Sequence, residues 1–117
     1  MSNPSKRKGS AWETTLRDYL IDNQIDTVRN TTNGAFDIGD LAVRLNGRHY
    51  VVEAKATKAI DLSGFLAEAT VEADNYATLN KLDPAIVHPL VVVKRRQHGT
   101  NKAYVVVELG EWLRDHI

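Results

Sequence analysis

The sequence contains no cysteine and no long apolar segment, and its formal net charge is zero. Without cysteine, disulfide scaffolds, thiolate zinc sites and cysteine nucleophiles are excluded. The longest apolar runs are only a few residues, far below the roughly 20 that a membrane helix needs. The four histidines form no His-x3-His pair, so a histidine-rich zinc site is not expected either.

The chain has the size and composition of one globular domain. It has 117 residues, of which 43% are hydrophobic and 26% are charged, as is typical of a folded protein rather than a disordered tail. The first ten residues are basic and polar with no apolar stretch behind them, which is unlike a secretory signal. We therefore expect a soluble intracellular protein without membrane association, with a flexible basic arm at 1–9 and a single domain at 10–117.

The zero net charge conceals a separation of charge along the chain. Residues 1–10 and 94–102 contain seven basic residues and no acid, which leaves eight basic and fifteen acidic residues elsewhere. One interpretation is a set of solvated faces with a disordered basic arm. The other is two patches that contact phosphates around an acidic centre. Charge alone does not choose between them.

Hydrophobic periodicity and turn residues predict a mixed α/β order. Ser10 and Glu13 form a capping-box pattern, which indicates a helix that starts at Ser10. Asp61 is a predicted N-cap for the second helix, and Gly110 is expected to break the chain before the last one. The predicted elements are a helix at 10–23, strands at 25–31, 39–45 and 48–55, a helix at 62–79, strands at 89–93 and 102–109, and a helix at 111–117.

The most informative segment is a predicted β-hairpin. Asn46-Gly47 lies between two β-rich runs and is typical of a two-residue type I′ turn. Such a turn fixes the register, which continues until Asp40 lies opposite Glu53. Because side chains alternate along a strand, Glu53 and Lys55 share a face. The sequence therefore predicts that Asp40, Glu53 and Lys55 converge on one patch.

This patch has the chemistry of a site for phosphodiester hydrolysis. Two close carboxylates raise each other's pKa unless a cation lies between them. Mg²⁺ is held in proteins by one or two carboxylates together with water and substrate phosphate. A neighbouring lysine can orient a water molecule or help to deprotonate it. The alternative is a surface hairpin with an exposed acid and a Glu/Lys pair.

With these residues in place, the chain resembles the PD-(D/E)xK nuclease superfamily, and more closely its phage and archaeal Holliday junction resolvases. The resemblance rests on the ordered segments 8–13, 34–41, 53–55, 61–62, 68–76 and 93–96. It implies a restriction-endonuclease-like αβββαβ core, with a mixed central sheet flanked by helices. It also implies a phage or prokaryotic homodimer that incises branched DNA with Mg²⁺, for which Mn²⁺ substitutes.

The resemblance also implies roles for individual residues. Asp40 and Glu53 would be metal ligands, Glu13 would support the metal from the first helix, and Lys55 would position or activate the attacking water. The chain departs from the family's Pro-Asp pattern, which Phe36-Asp37 or Gly39-Asp40 would replace. The hairpin register favours Asp40, and Asp37 would be a neighbour of the site or a turn residue.

Several residues have two interpretations. Glu13 is either the capping-box carboxylate or a site residue, and it can be both. Glu68 and Glu72 lie four apart on the second helix, which favours a solvated acidic face; the alternative is a carboxylate that reaches the active site. The residues expected to contact DNA phosphates are Lys6, Arg7, Lys8, Arg29, Lys58, Lys94, Arg95, Arg96 and Lys102.

The leading functional prediction is a metal-dependent, structure-selective DNA endonuclease that resolves four-way junctions. One alternative is a repair or restriction-type nuclease of the same superfamily, which differs only in its substrate. The other is a non-catalytic DNA-binding module on a degenerate nuclease fold. The intact Asp40, Glu53 and Lys55 argue against this last alternative.

Overall fold

The structure is a computed structural model that describes residues 4–31 and 36–117, with side chains from residue 9 onward. The start of the 34–41 segment and the side chains of Lys6, Arg7 and Lys8 therefore lie outside the described residues. In chain order the elements are α1 (Pro4–Asp22), β1 (Asp26–Arg29), β2 (Leu41–Leu45), β3 (Arg48–Lys55), α2 (Leu62–Leu79), β4 (Val87–Val93), β5 (Tyr104–Val106) and α3 (Leu109–His116).

The five strands form one mixed sheet in the order β1-β2-β3-β4-β5. The β3–β4 pair is parallel, because α2 carries the chain back across the sheet between them, and the other pairs are antiparallel. This confirms the predicted α/β fold with helices flanking a mixed sheet. Among the described residues, no helix is both long enough and apolar enough to span a membrane.

The hairpin register predicted from Asn46-Gly47 is confirmed. Asn46 and Gly47 both have positive φ, at 55° and 76°, as a type I′ turn requires. The β2–β3 pairs run from Leu45 opposite Arg48 to Leu41 opposite Val52. This register brings the start of β2 and the carboxyl end of β3 to the same edge of the sheet.

Each face of the sheet is covered by one long helix. Trp12 and Leu16 of α1 pack with Leu41, Val52 and the strands around them on one face. The small residues of α2 pack on the other face, against residues that include Val51, Val87 and Val91. Since Val51 lies on the α2 face of β3, alternation places Glu53 and Lys55 on that same face. The predicted site therefore lies between β3 and α2.

Some predicted boundaries are wrong. Helix α1 starts at Pro4, so Ser10 is not an N-cap; the helix overlaps the expected basic arm, and the division into an arm at 1–9 and a domain at 10–117 stays a prediction. Strand β1 ends at Arg29, β4 starts at Val87, and β5 covers only 104–106. Gly110 lies inside α3 rather than before it. The predicted N-cap of α2 is confirmed, since Asp61 accepts a hydrogen bond from the Gly64 N–H at 3.0 Å.

Candidate active site

Asp40 is fixed at the start of β2 by two hydrogen bonds to β3. Its backbone N–H donates to Val52 O at 3.0 Å, and its Oδ2 accepts from the Ala54 N–H at 2.8 Å. The Asp40 carboxyl lies close enough to those of Glu53 and Glu13 for both to raise its pKa. The paired register ends at Leu41 and Val52, so Asp40 lies just before β2 and near Glu53 without the expected direct pairing, and α1 adds Glu13.

Gly39 makes this approach possible. Its φ is +86°, in the left-handed region that glycine adopts without strain, and its N–H donates to Asp37 Oδ1 at 2.9 Å. A Cβ at this position would lie 2.7 Å from Val51 Cγ1. Gly39 thus occupies the position where the resemblance expects proline. As a glycine, it allows the loop to pack closely against β3 and so positions Asp40.

Glu53 and Lys55 project from the carboxyl end of β3 toward α2. Glu53 is only 4% exposed, and its Oε2 lies 3.1 Å from Lys55 Nζ. Lys55 Nζ also lies 3.0 Å from Glu68 Oε2 and 5.0 Å from the centre of the Phe65 ring. The lysine ammonium is therefore held between two carboxylates, with an aromatic face beside it.

Helix α2 contributes a second buried carboxylate that the sequence analysis interpreted differently. Glu72 is 2% exposed, and neither of its carboxylate oxygens has a hydrogen-bond donor. Oxygen atoms of Glu53, Glu68 and Glu72 all lie within 4.8 Å of one another. The expected solvated acidic face is thus wrong for Glu72, although Glu68 is exposed. In the sequence, Glu72 falls within the helical stripe formed by Ala69, Ala73 and Tyr76, and this position was the signal that could have indicated its burial.

The carboxyls at this end of the sheet have pKa values above their usual range. Burial raises the pKa of Asp40, and the neighbouring Glu53 raises it further. Burial and Glu72 likewise raise the pKa of Glu53. Burial, with the charges of Asp37 and Glu68, raises the pKa of Glu72 to about 8. For Lys55, burial lowers the pKa, but its bonds to Glu68 and Glu53 outweigh this effect and hold it above its usual value.

Arg29 at the end of β1 holds Glu13 in place. Its guanidinium lies 2.7 Å from Glu13 Oε2 and donates to Thr14 Oγ1 at 2.7 Å and to Ser10 Oγ at 3.0 Å. Glu13 is therefore part of an ion pair between α1 and β1, and not the carboxylate of a capping box. The structure places Arg29 against α1, and its expected contact with DNA stays a prediction.

A basic surface borders α1 at the same end of the sheet as the acidic site. The Lys94 N–H donates to Lys55 O at 2.8 Å, so the basic segment after β4 starts at the same edge of the sheet. Lys58, Lys94 and Arg96 line a cavity of about 300 Å³ together with Ala11, Ala56 and Gln97. Arg95 instead lies over the Tyr104 ring, 5.7 Å from its centre, and Lys102 is exposed on the following turn. Lys94 and Arg96 thus share a surface, although both lie beyond the end of β4 at Val93.

The donor set suits a hard divalent cation. Its ligand atoms are carboxylate oxygens, which Mg²⁺ and Mn²⁺ prefer, and neither histidine nor cysteine takes part. Buried carboxylates that face one another without donors need either protons or a cation. Among the described residues, the three carboxylates whose spacing suits one ion are Glu53, Glu68 and Glu72, and the expected ligand set of Asp40, Glu53 and Glu13 stays a prediction.

Comparison with known proteins finds similarity in structure alone. No protein-family model matches the chain, and no curated protein matches it in sequence. The fold matches the 1.6 Å structure of Hjc, a Holliday junction resolvase from the archaeal hyperthermophile Archaeoglobus fulgidus, with a TM-score of 0.53. The match covers 90% of this chain and 93% of Hjc at 15% sequence identity. The chain therefore has the same fold as this resolvase.

Proposed function

We propose that this protein is a divalent-metal-dependent DNA endonuclease that acts on four-way junctions. The observation that carries the proposal is the convergence at one end of the sheet of Asp40, bonded to the Ala54 N–H, and the buried Glu53, whose Oε2 lies 3.1 Å from Lys55 Nζ. The shared fold with an archaeal resolvase supports the same conclusion. Mg²⁺ is the proposed cofactor, and Mn²⁺ is expected to substitute for it.

The proposed roles follow from where the side chains lie. Asp40 and Glu53 hold the cation, and Glu13, kept in place by Arg29, supports Asp40 from α1. Lys55 positions the attacking water, because its ammonium lies at the mouth of the acidic site. When bound, the cation would supply a water of lower pKa and would stabilise negative charge on the phosphoryl group.

The basic surface beside the site is the proposed contact with the DNA backbone. Lys58, Lys94 and Arg96 line an open cavity beside Ala11 of α1, at the end of the sheet where β3 ends. Phosphate contacts orient DNA without reading its sequence, which suits an enzyme that selects branched shape. The same role is proposed for Arg95 and Lys102 and for the N-terminal Lys6, Arg7 and Lys8. Two symmetrical incisions in one junction would need a homodimer, which we propose as the active form.

The proposal is tested with purified protein on a panel of four-way, flapped, nicked and linear DNA in Mg²⁺ or Mn²⁺. We expect preferential cutting of the four-way junction. Glu53→Ala should abolish cutting while junction binding is retained, and Asp74→Ala, an exposed acid on α2, should behave as wild type. Binding without cutting in both metals would favour a non-catalytic module, and equal cutting of all substrates would favour another nuclease of this fold.

A further inference from the structure

Three carboxylates between β3 and α2 form a group that overlaps the Asp40 position at Glu53. Glu53, Glu68 and Glu72 each offer an oxygen within 4.8 Å of the others, a spacing at which all three could bind one ion. Lys55 is their only basic contact among the described residues, and its Nζ reaches Glu53 and Glu68. One ammonium cannot neutralise three carboxylates, and it does not reach the third.

Glu72 supplies the independent observation. It is only 2% exposed, and both of its oxygens lack a donor. Its carboxyl neighbours are Glu53 and Asp37, which when ionised can only accept. A buried carboxylate without a partner is costly, so Glu72 must either hold a proton or face a ligand that supplies positive charge.

The backbone of α2 directs the Glu72 carboxylate toward the carboxyl end of β3. Glu68 and Glu72 are four residues apart on α2, so both face the end of β3. On the other side, a Cβ added to Gly39 would lie 3.9 Å from Glu72 Oε2, which shows how closely the Asp40 loop approaches. Glu53 stands between Asp40 and Glu72 and touches both.

We propose that Glu53, Glu68 and Glu72 form a second position for a divalent cation, Mg²⁺ or Mn²⁺, which shares Glu53 with the position at Asp40. This inference rests on the proposed function for the Asp40 position, but not on DNA cleavage. A cation there would neutralise the carboxylates that Lys55 now pairs with. It would thereby release the lysine ammonium from Glu68 toward the DNA.

The test is the stoichiometry of Mn²⁺ bound to the full chain without DNA, measured by electron paramagnetic resonance of free Mn²⁺ and by calorimetry. Wild type should bind two ions per chain. Asp40→Asn and Glu72→Gln should each retain one, and Glu53→Gln should lose both. Asp74→Asn, an exposed acid on the same helix, is the matched control and should retain two. A single ion in wild type, or two ions in Glu72→Gln, would overturn the proposal.

A second variant covers the case in which Glu72→Gln does not fold. Glu68→Gln changes an exposed side chain and should weaken the binding of one of the two ions roughly tenfold or more. Unchanged affinity for both ions would count against the site. The outcomes also separate this inference from the proposed function. If wild type binds two ions, Glu72→Gln binds one and no DNA is cut, the second cation position is supported and the proposed nuclease function is wrong. If wild type cuts junction DNA but binds only one ion, the nuclease function is supported and the second cation position is wrong.

Discussion

The Ala54 N–H donates a 2.8 Å hydrogen bond to Asp40 Oδ2, and this bond ties the loop before β2 to the carboxyl end of β3. It leaves the other oxygen of Asp40 for the site and directs the carboxyl toward Glu53 and Glu13. Because the bond depends on how closely the loop approaches β3, the geometry of the acidic site depends on Gly39.

Gly39→Ala should therefore damage both stability and metal binding. The added methyl group meets Val51 Cγ1 at 2.7 Å, and alanine is strained at a φ of +86°. Backbone strain and overpacking together should reduce the free energy of unfolding by about 2–4 kcal/mol. Urea unfolding and Mn²⁺ titration measure the two effects.

The matched control for this change is Gly47→Ala. Gly47 also has a positive φ, at 76°, but nothing lies within 4 Å of an added Cβ. It should therefore lose only about 1–2 kcal/mol from strain and should bind Mn²⁺ as wild type does. Equal Mn²⁺ affinity in the two variants would mean that Gly39 does not position Asp40.

Arg29→Ala should reduce cleavage without reducing junction affinity. Arg29 reaches Glu13 at 2.7 Å, so its loss should release Glu13 from Asp40, and loss of such a supporting partner lowers activity or metal affinity roughly tenfold to a hundredfold. Lys94→Ala should behave in the opposite way. It should weaken junction binding and lower the slope of log affinity against log salt by about one. If Arg29→Ala also lowers the slope of log affinity against log salt, Arg29 contacts a DNA phosphate, as the sequence predicts.

Glu72→Gln should stabilise the metal-free protein at alkaline pH. Since the pKa of Glu72 rises from an ordinary 4.5 to about 8 in the folded state, its protonated form stabilises the fold below about 4.5. That contribution is lost as the pH rises through 8. Glutamine stays neutral and can donate to Glu53, so the variant should be more stable than wild type at pH 9 by about 2–4 kcal/mol, given about 1.4 kcal/mol per pKa unit.

This comparison is made by urea unfolding in a chelator between pH 5 and pH 9, and then in Mn²⁺. The difference between the two proteins should be small at pH 5 and should grow with pH in the chelator. Mn²⁺ should stabilise wild type more than the variant, because a bound ligand stabilises only the state that holds it. A difference that does not change with pH would mean that Glu72 is ionised in the folded protein.

The sequence predicted those parts of the site that depend on local geometry. Asn46-Gly47 determines the pairing of β2 with β3, so the hairpin turn alone is enough to place Asp40, Glu53 and Lys55 together. Glu72 could not be placed in this way, because its burial depends on how α2 docks on the sheet. The Glu13–Arg29 pair joins two elements 16 residues apart, and the capping-box pattern suggested a local partner for Glu13 instead.

His88 should make stability fall as the pH decreases, at a place remote from the acidic site. Its ring is 3% exposed, between Glu111 at 3.5 Å and Asp115 at 3.8 Å, with neither nitrogen hydrogen-bonded. Burial and the charge of Arg114 lower its pKa, although both carboxylates oppose this. Because the pKa of His88 is lower in the folded state, the unfolded chain binds the proton more readily. The free energy of unfolding should therefore decrease as the pH falls below the ordinary pKa of 6.5. Wild type should therefore lose stability relative to His88→Gln between pH 7.5 and pH 5, and chemical unfolding of the two proteins in the same buffers measures the difference. A wild type that gains stability relative to the variant on acidification would show that Glu111 and Asp115 outweigh burial and hold the protonated ring.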